Sequence, residues 1–357
     1  MKEVSRLQWN ERRRKILAAI VDAYIETGEP VGSKFLTDKL DEEVSSATVR
    51  NEMAELAAAG FLEQPHTSAG RIPTAPAFRF YIDNLMKQDS LTDEDRENID
   101  STLRRLSDSP DRLMEEASRI LATSTGYAAV TTTPDQRSSA IRRIELMPIS
   151  SHKVAMLLVT DSGVLRNRSC RLPEEIRLEE LDQVAQLIRM RFLNVPLSHV
   201  CLADIQEVLD TMGKAAERYS PVLATFYGLV QESADSEVLL TGQLNLLQHP
   251  DYAPERAKSL LTFLAQREQL ADMLQQSASS EGLRILLGSE SDKQELGDSS
   301  IITTQYTTGG LARGTIGLIG PMRMDYASAI PKVEYFAKAV GRILSDMLDE
   351  DKGDEQS

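Results

Sequence analysis

The chain has 357 residues, of which 41% are hydrophobic and 27% charged. At roughly 150 residues per domain that is material for two or three packed domains, and it is too apolar for a disordered chain. The longest unbroken apolar runs, Ile16–Val21 and Val154–Val159, fall far short of the ~20 residues a transmembrane helix needs. MKEVSRLQWNERRRK has no apolar segment behind its charges, so no secretory signal is expected. Two cysteines, Cys170 and Cys201, make neither a disulfide framework nor a four-thiolate zinc site. The expectation is a soluble, cytoplasmic protein without a membrane segment.

The formal net charge is −15, which by itself argues against a nucleic-acid partner. The excess is uneven. Residues 1–90 hold 12 basic and 14 acidic side chains, and the remainder holds 28 and 41. Arg6, Arg12, Arg13, Arg14 and Lys15 crowd together with only Glu11 against them. If a polyanion is met at all, the N-terminal part meets it. On its own, such a run reads as a solvated helix end.

In chain order, Ile16, Ile20, Ala23 and Tyr24 recur at helical spacing over 11–28, and Gly28 is a natural stop. Ser33 is placed to cap a short helix through Leu40, with Phe35, Leu36 and Leu40 inward, after which Asp41, Glu42 and Glu43 form a turn. Ser45 and Ser46 are placed to cap a third helix running to Ala59 and stopped by Gly60. FLEQPHTSAGRIPT, with Pro65, Gly70 and Pro73, reads as a ribbon with a polar tip. Helix, short helix, helix, ribbon is the order of a winged helix-turn-helix. At about 100 degrees per residue, Val49, Met53 and Leu56 share one face of the third helix. Ala47, Thr48, Asn51, Ala54 and Glu55 lie opposite, with Arg50 on the flank. A small, polar outward face is what a helix entering the major groove requires.

A helix resumes over 76–88, a polar linker follows near 88–95, and 96–125 is helical around a turn at Ser107–Asp111. From 126 the runs GYAAVTTT, IRRIELMPIS, HKVAMLLVTDSG and VLRNRSCRLP read as strands, with a hairpin turn at Asp161-Ser162-Gly163. Helices follow at 178–193, 204–232 and 254–276. GLRILLGSE, SSIITTQY and GTIGLIGPMRM are strands again, and a final amphipathic helix uses Val333, Phe336, Val340, Ile343 and Met347. Strands, helices, strands predicts one α+β domain interrupted by a mainly helical insertion, both halves contributing to one sheet.

TGEPVGS, VSSATVRNEMAEL and GFLEQPHTSAGRIPT together resemble the HrcA family of bacterial heat-shock repressors. The likeness continues in FRFYIDNLM, LTGQLNLLQHPDY and GTIGLIGPMRMDYASAI. Met322 and Val49 stand where the family pattern expects Thr and Ile, which touches packing more than DNA contact. The resemblance implies a repressor of chaperone operons that binds double-stranded DNA, an inverted-repeat operator, as a homodimer. It implies a winged helix at 1–88, a GAF-like domain at 96–195 and 279–348, and an inserted dimerisation domain at 196–278. It also implies release on heat stress and the GroEL chaperonin as the partner that keeps the repressor competent, its availability resetting the active form.

For DNA contact, Arg50 is suited to a guanine or a phosphate, since Ser46, Ala47, Met53 and Ala54 at helical spacing offer it no acid. Asn51 is suited to adenine, or is simply solvated. Thr48 and Ser46 suit phosphates, with capping the competing role for Ser46. His66, Thr67, Ser68 and Arg71 surround Gly70 at a basic tip that could reach the backbone or the minor groove, with a turn hydrogen bond the alternative for His66. Arg12, Arg13, Arg14 and Lys15 are candidate phosphate ligands, and Arg79 is a weaker one.

Enzyme readings find no phosphate-binding loop and no nucleophile elbow. The four histidines, His66, His152, His199 and His249, lack metal-ligand spacing, so no catalytic residue, metal or cofactor is expected. The alternative class is a regulator gated by a small molecule held in the α+β domain. An enzyme carrying a DNA-binding appendage would instead need clustered titratable groups in 126–340.

Overall fold

The computed structural model describes residues 8–39, 45–66, 69–106, 109–134, 136–162, 164–278, 282–308 and 312–354. Arg6, Leu40, the Asp41–Glu43 turn, Thr67, Ser68, the Ser107–Asp108 part of the next turn and Gly163 lie outside the described residues. The elements are α1 (Glu11–Thr27), α2 (Ser33–Lys39), α3 (Ser46–Ala58), β1 (Leu62–Glu63), β2 (Ile72–Pro73), α4 (Ala75–Asn84), α5 (Asp93–Leu106), α6 (Pro110–Thr125) and β3 (Ala128–Thr132). There follow β4 (Ile141–Ser150), β5 (Lys153–Thr160), β6 (Leu165–Arg171), α7 (Leu178–Phe192), α8 (Leu202–Met212), α9 (Ala216–Ala234) and β7 (Val238–Thr241). The chain ends with α10 (Gln243–Gln248), α11 (Pro254–Leu264), α12 (Arg267–Ala278), β8 (Arg284–Leu287), β9 (Ser299–Thr308), β10 (Ala312–Pro321) and α13 (Tyr326–Asp354). Mixed helix and sheet agrees with the α+β expectation. Two compact units divide the chain: 1–131 with 238–306 and 315–340, and 132–237 with 307–314 and 341–357.

In the first unit, α1 starts at Asn10, whose side chain accepts from the Arg13 backbone N–H at 2.7 Å. It ends at Gly28, held at φ 70° with its N–H on the Tyr24 carbonyl. Ile16, Leu17, Ile20 and Val21 are fully buried, as are Val49 and Leu56 of α3. Ser45 caps α3, accepting from the Thr48 N–H at 3.2 Å, and Ser46 already lies within the helix. Phe35 departs from its expected inward position. It is 42% exposed, and the Lys39 ammonium sits 5.3 Å from its ring centre. Only Leu36 of the short α2 is buried.

β1 and β2 pair antiparallel, Leu62 with Pro73 and Glu63 with Ile72. Val31, between α1 and α2, joins them by exchanging two 2.9 Å backbone hydrogen bonds with Arg71. Gly70 permits this approach, because a Cβ there would stand 2.5 Å from the Val31 carbonyl oxygen.

The same unit carries a five-stranded sheet in the order β7-β3-β10-β9-β8. β3 runs antiparallel to β10, with Ala128 opposite Ile319. Its core includes Val130, Phe263, Leu264, Leu270, Leu274, Ile301 and Ile319. The second unit has a separate three-stranded antiparallel sheet, β4-β5-β6. Val154, Met156 and Leu158 alternate inward from β5, meeting Leu181, Val184 and Ile188 of α7 and Tyr219, Phe226 and Val230 of α9 in one core.

Several expectations are corrected. Residues 128–132 do pair with 312–321, but 141–171 form their own sheet, because their buried face is covered by α7 and α9. The chain passes between the two compact units at 131/132, 237/238, 306/307, 314/315 and 340/341. The 204–232 helix is two helices, broken at Gly213 with φ 55°. The 254–276 helix is also two, separated at Ala265 and Gln266. β7 was not anticipated. Among the described residues, no helix is long and apolar enough to cross a membrane.

Candidate nucleic-acid interface

The core face of α3 fixes what its other side presents. With Val49, Met53 and Leu56 buried, Ala47, Arg50, Asn51, Ala54 and Glu55 are exposed. Thr48 is half-buried, with its hydroxyl 2.9 Å from that of Ser45. Ser46 is also half-buried, 3.3 Å from the Ser33 hydroxyl, which ties the start of α3 to the start of α2. Both hydroxyls are therefore occupied within the fold. His66 is exposed beyond β1, and its carbonyl accepts from the Ala69 N–H at 2.8 Å, so a turn hydrogen bond exists but uses the backbone. Arg71 is half-buried and anchored through its backbone to Val31. Thr67 and Ser68 lie outside the described residues.

On α1, Arg12 and Arg14 are exposed, and Lys15 pairs with Glu11 at 3.7 Å. Arg13 is different and corrects the sequence reading. It is only 7% exposed. Its Nε donates to Glu52 at 2.7 Å, one terminal nitrogen donates to Glu55, and the other donates to the Gln8 carbonyl at 2.8 Å. A guanidinium with all these donors engaged is a clamp between α1 and α3, not a ligand waiting for phosphate. Arg79 is likewise taken. It donates to Glu290 at 2.9 Å and to the Ile285 carbonyl at 2.6 Å. The Glu290 carboxyl is desolvated, which works to raise its pKa, but the bonds from Arg79 and the Leu287 N–H prevail and hold it below the ordinary glutamate value.

Sequence reasoning missed the partners of Arg13. Glu52 and Glu55 stand three apart on α3, a spacing that places both on one flank, but nothing local says that α1 packs there. It also missed a second cluster. Arg323, just after β10, donates to Asp251 at 2.6 Å and to the Ile25 carbonyl near the end of α1 at 3.0 Å. His249 Nδ1 lies 2.5 Å from the other Asp251 oxygen. Burial works to raise the Asp251 pKa, but His249 and Arg323 outweigh it, and the carboxyl is held below its ordinary value. QHPDY and GPMR, far apart in sequence, thus meet under the C-terminal end of α1. A cavity of about 480 Å³ opens beside them, lined by Tyr24, Glu63, Asp251, Asp298 and Arg323 among others.

Residues 111–330 match the family model for the HrcA protein C terminal domain. The chain is 34% identical over 328 residues to the heat-inducible transcription repressor HrcA of Acetivibrio thermocellus, covering 91% of this chain and 93% of that protein. It is 34% identical over 336 residues to the protein of the same name from Carboxydothermus hydrogenoformans, covering 94% and 98%. It is also similar to a crystal structure at 2.2 Å resolution described only as a hypothetical protein, with TM-score 0.65 and 26% identity, over 95% of this chain and 99% of that one.

Proposed function

Because the chain belongs to the HrcA family of heat-inducible transcription repressors, we propose that it is a cytoplasmic repressor of heat-shock chaperone operons, with DNA occupancy rather than catalysis as its activity. In this reading residues 1–88 are a winged helix-turn-helix, α3 is the recognition helix and the β1–β2 ribbon is the wing. The observation that carries it is the exposed face of α3, where Ala47 and Ala54 leave room around Arg50 and Asn51. A helix so shaped enters a major groove about 12 Å wide. Arg50 and Asn51 read bases, and Arg12, Arg14, His66 and Arg71 position the backbone. Ser46 and Thr48 contribute through phosphate only by exchanging their present hydroxyl partners.

The operator is an inverted repeat bound by a homodimer, whose geometry fixes the half-site separation. Exposed Met147, Ile149, Leu165, Met190 and Leu202 in the second unit support a role for it in self-association. The remaining α+β layer is GAF-like. GroEL is the partner proposed to maintain the active form. Family membership supports it, together with exposed Leu244 and Leu247 on α10.

The test is a footprint on DNA upstream of the chaperone operons of the source organism, with and without chaperonin. Protection of two symmetric half-sites that strengthens with chaperonin is the expected result. Uniform, sequence-independent protection would reject operator recognition. Loss of binding should be steep in salt, since each neutralised phosphate adds about −0.9 to the slope of log K against log salt.

A further inference from the structure

We propose that Arg13 is a positioning residue for DNA binding, which masks the acidic flank of α3 and fixes that helix on α1. The inference rests on the assignment of α3 as the recognition helix. It starts from a conflict on that helix. Glu55 stands one turn beyond Asn51, with its side chain 60% exposed. A bare carboxylate there would meet phosphates of like charge within a screening length of about 8 Å. Glu52, one turn before it and 14% exposed, faces α1.

Arg13 answers both carboxylates at once. Its Nε takes Glu52 and a terminal nitrogen takes Glu55. The remaining terminal nitrogen is on the Gln8 carbonyl, and the backbone N–H is held by Asn10. The side chain is therefore fixed by three partners, and its backbone by a fourth, before any duplex arrives. Lysine has a single nitrogen and no planar fork, so it cannot hold the two carboxylates in this arrangement. Among the cations of the α1 run, Arg13 neutralises the protein's own charge, while exposed Arg12 and Arg14 are left to face a polyanion.

The probe is the duplex that the wild-type chain enriches from a randomised pool, measured by fluorescence anisotropy across a salt series. The variants are Arg13→Met, Arg13→Lys, Glu52→Gln/Glu55→Gln, and Arg13→Met/Glu52→Gln/Glu55→Gln. Each is assayed below its melting transition as followed by circular dichroism. Arg13→Met is expected to weaken binding about tenfold, with the deficit largest at low salt and shrinking as salt screens the exposed carboxylates. The triple variant regains most of that loss, and Arg13→Lys falls between. Glu52→Gln/Glu55→Gln, which removes the negative charge but keeps amide oxygens able to accept from the Arg13 guanidinium, binds at least as tightly as wild type.

Wild-type affinity in Arg13→Met, or a triple variant as weak as Arg13→Met, overturns the masking role. A deficit of equal size at every salt concentration also overturns it, since that reports only a smaller folded fraction. If the wild-type chain enriches no duplex, the recognition-helix assignment itself has failed, and the masking role falls with it.

Discussion

Arg323 and Asp251 lie 72 positions apart in sequence and meet at 2.6 Å, with the same guanidinium reaching the Ile25 carbonyl. Their side chains are 12% and 21% exposed, so water screens the pair poorly. Arg323→Met removes the charge and leaves Asp251 desolvated with only His249 beside it. The expected cost is about 2–4 kcal/mol, read as a lower urea midpoint. A midpoint unchanged from wild type would mean that this contact carries no net stability.

Two separate carboxyls set an acid response. Against their burial, Asp251 is held below its ordinary pKa in the folded chain by His249 and Arg323, and Glu290 by Arg79 and the Leu287 N–H. A depressed carboxyl contributes its full stability above the unfolded value, about pH 4, and loses it as pH falls through the folded value. Urea midpoints measured downward from neutral pH should therefore fall most steeply below about pH 4. Asp251→Asn should be less stable at neutral pH yet show a shallower acid limb. An acid limb as steep as that of wild type would remove Asp251 from the account.

Arg50→Ala and Asn51→Ala are each expected to cost about 1–3 kcal/mol of specific affinity if they read bases. Their effect on affinity for random duplex should be smaller. Gel-shift titrations on the enriched duplex and on a scrambled one separate the two. Equal losses on both would make these residues phosphate contacts only.

Gly70→Ala tests how the β1–β2 ribbon is anchored. The new methyl would stand 2.5 Å from the Val31 carbonyl oxygen, a backbone atom with no rotamer to escape into. Overpacking of this kind costs about 1–3 kcal/mol, and it should part Val31 from Arg71. Faster amide exchange at those two residues, with exchange in α7 and α9 unaltered, is the expected pattern. A crystal structure of the variant with the Val31–Arg71 bridge intact would contradict it.

Much of the N-terminal module was legible because its signals are local. Gly28 stops α1, a serine caps α3, and the Val49, Met53 and Leu56 stripe picks the buried face of α3. The roles of Arg13 and Arg79 were not legible, because each is decided by carboxylates 39 and 211 positions away. An Arg run looks the same whether its members face solvent or a neighbouring helix. Phe35 illustrates the opposite error: hydrophobicity predicted burial, but a seven-residue helix has room to bury little more than Leu36. The strands of 141–171 were read correctly as strands. Their membership in a separate sheet was not legible, because period-two alternation gives a strand's buried face and says nothing of its neighbours. The cluster at Arg323 was hidden for a similar reason, since motif likeness flagged both segments without giving their contact.

The pairing of β3 with β10 also bears on how this protein emerges from a ribosome. Residues 128–132 leave the tunnel long before the strand they lie against, 312–321. Everything needed for the 141–171 sheet and its covering helices is made in between, so that intervening unit is able to settle first. Until 312–321 appears, the fully buried edge of Ala128, Ala129 and Val130 has no partner on that side. Synthesis thus imposes an interval of apolar vulnerability that lasts until 312–321 is made, and this distant pairing is of the kind that forms slowly.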